Sequence, residues 1–261
     1  MRPRSPAWQA VVFALSCLGA LRAVSAHADS VEVVQRVKGS IVAIGTYEKS
    51  RSPAFSFFGT GFAVGDGSLV ATNAHVVPRV IDDERKEALV IGVPGGTPGS
   101  GQIRPAKAVA IDQEHDLALL RIEGPKLSPL VLGDSSRVRE GQTYLLTGFP
   151  IGAVLGLIPA THRAMVAALT PIAMPTGNAR ELESRTIKRL ATSPYPVMQL
   201  DGTAYPGNSG SPLYDPESGE VVGIVNSVFV KASRETMLSQ PSGISFAIPA
   251  QLLKNLLQST R

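Results

Sequence analysis

The chain has 261 residues, 44% of them hydrophobic and 18% charged, with a formal net charge of +4, enough for one large or two small globular domains with a sizeable core. Its basic excess belongs to the first 28 residues, whose removal takes Arg2, Arg4 and Arg22 and no acid, bringing the charge from +4 to +1; a near-neutral remainder excludes the dense basic footprint of a nucleic-acid or anionic-membrane binder. The single cysteine, Cys17, lies in that same stretch, so disulfides and thiol chemistry are excluded from the rest of the chain.

In chain order, Arg2 and Arg4 precede a mostly apolar stretch from Ala10 to Leu21, followed by the small-residue cleavage sites Val24-Ser25-Ala26 and Ala26-His27-Ala28. Residues 1–28 therefore read as a secretory signal peptide, and the mature protein is expected to be periplasmic or secreted. The apolar stretch is too short for a comfortable membrane span, and no later segment approaches one. A lipoprotein site at Cys17 is disfavoured, because the expected leucine three residues earlier is Ala14.

Ser30 is placed to cap a short amphipathic helix over Val31–Val37, and Ser40–Ile44 reads as a first strand. Further strands are expected at Thr60–Val64, Leu69–Thr72, Ala88–Val93, Lys107–Ile111 and Leu117–Ile122. A second set covers Thr143–Gly148, Ala164–Leu169, Val197–Leu200, Ser211–Tyr214, Val221–Val225 and Ile244–Ile248. Short strands separated by Gly, Pro and Asp clusters suit a closed all-β fold. Pro249–Gln258 reads as a closing helix with proline near its first turn. The Gly-rich stretch Pro94–Gly101 lacks the ending of a phosphate loop and reads as a surface turn, and Thr170–Pro196 reads as an inserted loop.

Gly207-Asn208-Ser209-Gly210-Ser211-Pro212 places one serine among small residues that let the backbone turn sharply around it. A serine hydroxyl barely ionises at neutral pH, so a nucleophilic serine needs a neighbouring base and backbone N–H groups aimed at the developing oxyanion. The α/β-hydrolase elbow wants G-x-S-x-G and a histidine downstream, whereas Ser211 replaces the last glycine and no histidine follows Ser209. The base must lie upstream, among His27, His75, His115 and His162. His75 stands at a polar corner after the strand-like Leu69–Thr72. Asp116, at the head of the apolar run Leu117–Ile122, is the carboxylate best placed to be buried against it and to hold its tautomer. His115 competes as a base, but adjacent residues on an extended chain face opposite ways, so it is expected in solvent. His162 is expected in a surface loop ahead of a strand. Neither His-Glu-x-x-His nor paired cysteines occur, so no metal and no cofactor are expected.

The order His, Asp, Ser, carried by Thr72-Asn73-Ala74-His75, Asp116-Leu117-Ala118-Leu119-Leu120 and Gly207-Asn208-Ser209-Gly210, resembles the chymotrypsin-like serine proteases. Leu132-Gly133-Asp134-Ser135, Gly148-Phe149-Pro150-Ile151-Gly152 and Ser245-Phe246-Ala247-Ile248-Pro249 resemble phrases of the HtrA (Deg) protease domain. The resemblance covers roughly residues 31–256. It implies two six-stranded antiparallel β-barrels within a protease domain spanning 29–261. Barrel one would run over about 38–125, barrel two over about 140–248 and a closing helix over 249–258, with the active site in the cleft between the barrels.

It further implies a serine endopeptidase in which Ser209 attacks, His75 shuttles the proton and Asp116 orients His75. The oxyanion loop is Gly207, Asn208 and Ser209, with Asn208 a spacer between two N–H donors. The resemblance places Thr203 at the base of the specificity pocket, Asn226, Ser227 and Val228 along one wall, and Gly243 and Ile244 near another. An uncharged Thr203 points to small or medium aliphatic side chains rather than basic ones. The expected partner is a polypeptide substrate, with no nucleic acid. Ending at Arg261, the chain is expected to carry no PDZ domain, and its oligomeric state is left open, with Phe55, Phe57 and Phe58 serving either an interface or loop packing. The rival reading is a catalytically silent, chaperone-like polypeptide binder on the same fold. An esterase using the same triad is a third.

Overall fold

The computed structural model describes residues 30–95, 101–150, 157–171, 195–203, 205, 207–226 and 243–260. The signal-peptide and Cys17 readings, and most of the two loops expected at 94–101 and 170–196, lie outside the described residues. Helix α1 (Ser30–Lys38) leads into β1 (Ile41–Tyr47), β2 (Phe55–Val64), β3 (Leu69–Thr72), β4 (Ala88–Val93), β5 (Gln102–Asp112) and β6 (Leu117–Ile122). The second half holds β7 (Thr143–Gly148), β8 (Ala160–Pro171), β9 (Pro196–Asp201), β10 (Pro212–Tyr214), β11 (Val221–Asn226), β12 (Ile244–Pro249) and helix α2 (Ala250–Ser259). Each half closes into a six-stranded antiparallel barrel, β1-β2-β3-β6-β5-β4 and β7-β8-β9-β12-β11-β10, so the two barrels share one strand order. Among the described residues no helix is long and apolar enough to cross a membrane.

Every expected strand is present, and the differences lie at the ends. β2, β5 and β8 run several residues further than their apolar centres indicated, because polar and aromatic ends continue the ladder, as where Tyr47 pairs Phe55 and Leu146 pairs His162. Ser30, expected as a cap, is already the first helical residue, and Pro249 sits just ahead of α2 as its N-cap. Phe55 and Phe57 pack against the core, the latter edge-on to Phe149 with centroids 6.1 Å apart, while Phe58 stays 37% exposed.

The apolar runs have two burdens. In β6, Ala118, Leu120 and Ile122 point into barrel one, whereas Leu117 and Leu119 join a second cluster with Val33 and Val37 of α1, Phe149, Tyr214 and Leu253 of α2. That cluster joins both barrels and both helices, so a strand with period-two alternation is still apolar on both faces. Each fully buried aliphatic side chain there contributes about 1.5–3 kcal/mol. The interior of barrel two is a separate cluster around Leu146, Met198, Leu200 and Leu213.

The connection between the barrels is itself hydrogen-bonded to both. Leu127 and Leu130 donate to Gly67 O and Ala63 O of barrel one at 3.0 and 2.9 Å, and Gly133 donates to Val221 O of barrel two at 2.8 Å. Val221 returns a bond to Val131 O at 2.8 Å, which fixes the linker as a parallel bridge, Leu132 opposite Val221. Arg36 of α1 adds a 2.7 Å bond to Ser218 O. These ties set where one barrel's loops meet the other's.

Candidate active site

Register brings Asp116 and His75 together. Thr72, the last residue of β3, pairs with Ala118 of β6, so the chain leaving β3 passes beside the chain entering β6. Asn73 then opens a single turn of 3-10 helix, Ala74–Val76, and its side-chain amide donates to Asp116 O at 3.0 Å. Asp116 itself adopts φ +54°, a left-handed conformation that Asp tolerates better than most residues. Its Oδ1 accepts the His75 backbone N–H at 2.9 Å and its Oδ2 meets His75 Nδ1 at 2.7 Å. An ionised carboxylate only accepts. Against such a carboxylate Nδ1 is the donor, and Nε2 is the ring nitrogen that remains for another partner. The side chains are 30% and 16% exposed, placing the pair near the surface rather than in the core.

One partner was not foreseen. Asn226, at the end of β11, donates its side-chain N–H to Asp116 Oδ2 at 2.6 Å, so a residue of barrel two braces the acid of barrel one. The resemblance implies a pocket wall for Asn226; its buried amide also donates to Asp116. No spacing signal connects residues 110 positions apart.

Ser209 reaches the same place from barrel two. Its loop is stitched to β11, with Gly210 N–H donating to Val225 O and Val225 N–H to Ser211 O, each at 2.9 Å. It is also stitched to barrel one, where Thr60 N–H donates to Ser209 O at 2.8 Å. Gly59 shows how near the serine loop lies to the histidine turn: a Cβ there would sit 2.8 Å from a methyl of Val76 and 3.0 Å from Ser209 O. Ser209 is 4% exposed. Gly207 and Gly210 adopt φ of +105° and +86°, which glycine enters without the Cβ penalty, explaining the glycines on both sides of the serine.

Within the loop, Asn208 N–H is taken by Tyr205 O and Ser211 N–H by Asn208 O, both at 3.0 Å. The Asn208 amide and the Ser211 hydroxyl are enclosed beneath the loop without hydrogen-bond partners among the described residues. Asn208 thus faces the protein interior. For the Gly207 N–H, no acceptor is found among the described residues.

The remaining pocket residues are partly in view. Thr203 is half-buried between β9 and the serine loop. Gly243 O accepts Gly202 N–H at 3.0 Å, Ile244 pairs with Asp201, and Ser245 Oγ donates to Gly202 O at 2.8 Å, so Gly243 and Ile244 lie alongside the strand that leads to Thr203. Ser227 and Val228 lie outside the described residues.

Two histidines differ from expectation. His115 is not free in solvent: its Nδ1 lies 2.6 Å from Asp112 Oδ2, and its ring rests on Tyr195, centroids 4.9 Å apart. Asp112 Oδ1 also accepts the backbone N–H groups of Glu114 and His115. Burial pushes the Asp112 carboxyl up, but these bonds and the His115 charge outweigh it, leaving its pKa lowered. His162 is not in a loop but inside β8, half-buried beside the Tyr205 ring. Burial pulls its pKa below the ordinary 6.5. Among the described residues no cluster of three or more His, Cys, Asp or Glu is placed to hold a metal ion.

Comparison with known proteins gives this geometry a family. The model of the trypsin-like peptidase domain matches residues 59–224, more than half of the chain and a span that includes His75, Asp116 and Ser209. A probable periplasmic serine endoprotease, DegP-like, of Marinomonas sp. is 28% identical over 215 residues, covering 79% of this chain and 36% of that protein. Serine protease HTRA1A of Danio rerio is 30% identical over 234 residues, covering 87% and 40%. The chain thus spans about two-fifths of the length of these curated relatives. The crystal structure of Deg5 superposes with a TM-score of 0.61 at 26% identity, covering 87% of this chain and 91% of that one. The chain belongs to the trypsin-like peptidase domain family, on the chymotrypsin-like two-barrel fold, and its relatives within that family are HtrA and DegP serine proteases.

Proposed function

We propose that the protein is an exported serine endopeptidase that cleaves polypeptides through an acyl-enzyme intermediate, with Ser209 as nucleophile, His75 as general base and then acid, and Asp116 as the group that orients His75. The observation that carries this reading is the His75 Nδ1 to Asp116 Oδ2 bond of 2.7 Å, braced by Asn226 from the other barrel. That bond leaves Nε2 to accept the Ser209 proton as Oγ attacks the scissile carbonyl and to return it to the leaving amine. The N–H groups of Gly207 and Ser209 stabilise the oxyanion. Water then repeats the sequence on the acyl-enzyme, with His75 again the base.

The uncharged Thr203 supports a preference for small or medium aliphatic side chains at the cleaved residue, with Gly243 and Ile244 along one wall. Cleavage profiling on a peptide library tests this, and dominant cutting after Arg or Lys would overturn it. Residues 1–28 and the periplasmic DegP-like relative support export, checked by mass spectrometry of the mature N-terminus. The function itself is tested on casein and with a fluorophosphonate probe. Wild-type protein should cut the first and be labelled by the second, and Ser209→Ala should do neither. Wild-type protein that does neither, on intact and on unfolded casein, would favour the silent polypeptide binder.

A further inference from the structure

Barrel one contributes more than the base and acid to this site. Thr60, in the middle of β2, is fully buried and makes four hydrogen bonds, two of them to the serine loop. Its backbone N–H donates to Ser209 O at 2.8 Å and its hydroxyl donates to Gly207 O at 2.6 Å. The same hydroxyl oxygen accepts Phe149 N–H at 3.1 Å, and Thr60 O accepts the Thr72 hydroxyl at 2.7 Å. One residue thus holds the carbonyls on both sides of Asn208 and Ser209, and the hydroxyl alone ties β2 to the serine loop and to the chain leaving β7.

The consequence follows from peptide geometry. A trans peptide is planar, so holding Gly207 C=O and Ser209 C=O directs the N–H groups of Asn208 and Gly210 the opposite way, where Tyr205 O and Val225 O accept them. The Ser209 N–H lies on the peptide between these two fixed units. Gly207, at φ +105°, is the joint with most freedom to rotate if its carbonyl is released. Gly148 completes the arrangement: a Cβ there would come within 2.9 Å of Thr60 Oγ1 and collide with the Ser211 hydroxyl.

We infer that Thr60 is a positioning residue for catalysis, whose hydroxyl holds the Gly207 carbonyl inward and thereby keeps the oxyanion donors of the serine loop aimed at the cleft. The inference rests on the proposed function for its catalytic consequence and on geometry alone for the loop.

Two readouts separate these. With a peptide substrate, Thr60→Val should lower kcat about 10- to 100-fold, less than the about 10²- to 10³-fold cost of losing an oxyanion donor outright, with KM changed less than about threefold and Thr60→Ser restoring most of the rate. Thr60→Cys, which nearly preserves volume but bonds weakly, should fall between Ser and Val and serves if Val does not fold. Affinity for a peptide boronic acid should fall in step with kcat, while affinity for the matching cleaved peptide should not. Independently of activity, hydrogen exchange at the Phe149 and Gly210 amides should quicken in Thr60→Val and Thr60→Cys. Folded Thr60→Val or Thr60→Cys protein with wild-type kcat and wild-type exchange would overturn the inference. Wild-type protein that neither cleaves nor reacts with the fluorophosphonate would overturn the proposed function instead, and the exchange readout would still decide whether Thr60 holds the loop.

Discussion

Among the described residues stand two histidine–aspartate pairs of almost the same geometry, His75 with Asp116 at 2.7 Å and His115 with Asp112 at 2.6 Å. They differ in how they are built. His115 and Asp112 are three residues apart in the turn between β5 and β6, and Asp112 also caps that turn through Oδ1. His75 and Asp116 are 41 residues apart, brought together by the register of β3 on β6 and braced by Asn226 from the second barrel. The outer side of the His115 ring meets Tyr195; the His75 turn meets the serine loop across Gly59. A histidine–carboxylate bond can thus simply close a turn, and on the proposed function it is the surroundings of His75 and Asp116 that give their bond a part in catalysis.

The largest test of that contrast replaces the histidines one at a time. His75→Ala should reduce kcat on a peptide substrate about 10⁴- to 10⁶-fold, the scale seen when a member of such a triad is removed. His115→Gln should leave kcat within about threefold, and a collapse of activity in that variant without loss of folding would reverse the two roles.

The acids should divide in the same way. Asp116→Asn should lower kcat about 10⁴-fold by favouring the wrong tautomer of His75. Asp112→Asn keeps the Oδ1 acceptor of the turn, so it should cost about 1 kcal/mol of stability in a denaturant titration and little activity.

Asn226→Ala probes the brace that only one pair possesses. A hydrogen bond to a charged group contributes about 1.5–3 kcal/mol, so kcat should fall about 10- to 100-fold. A change confined to KM would instead support the expectation that Asn226 acts on the pocket wall.

The smallest effect concerns His162, which among the described residues has no carboxylate partner. His162 has a pKa depressed by burial, so the unfolded chain takes up its proton first. Its contribution to stability is full above about pH 6.5 and declines as the pH falls through that value towards the folded pKa. His162→Gln should flatten this part of a plot of Tm against pH, without altering the loss at lower pH that follows protonation of Asp112.

Much of this is legible in the sequence. Short apolar runs and turn signals located twelve strands, because each strand's own side chains must fill one or two buried faces. Gly207 and Gly210 marked the serine turn because few other residues accept a positive φ. Errors clustered where a side chain's partner is remote or where its environment, not its neighbours in sequence, decides its state. His115 was placed in solvent by strand alternation, yet it lies in a turn where alternation does not apply, and Asp112 claims it. His162 was placed in a loop because its own segment is polar, yet β7 supplies the ladder that makes it a strand residue.

Sequence by itself determined which residues are candidates: one serine between flexible glycines, a histidine after an apolar strand, an aspartate before another, and a barrel-forming rhythm on both sides. Tertiary structure alone decided how they are held. Thr60 meets Gly207 across 147 positions and Asn226 meets Asp116 across 110, contacts that depend on the docking of two closed barrels through a shared apolar cluster and a doubly bonded linker. Local propensity and spacing carry no record of such contacts, since they exist only once burial of the surfaces between the barrels has fixed one against the other.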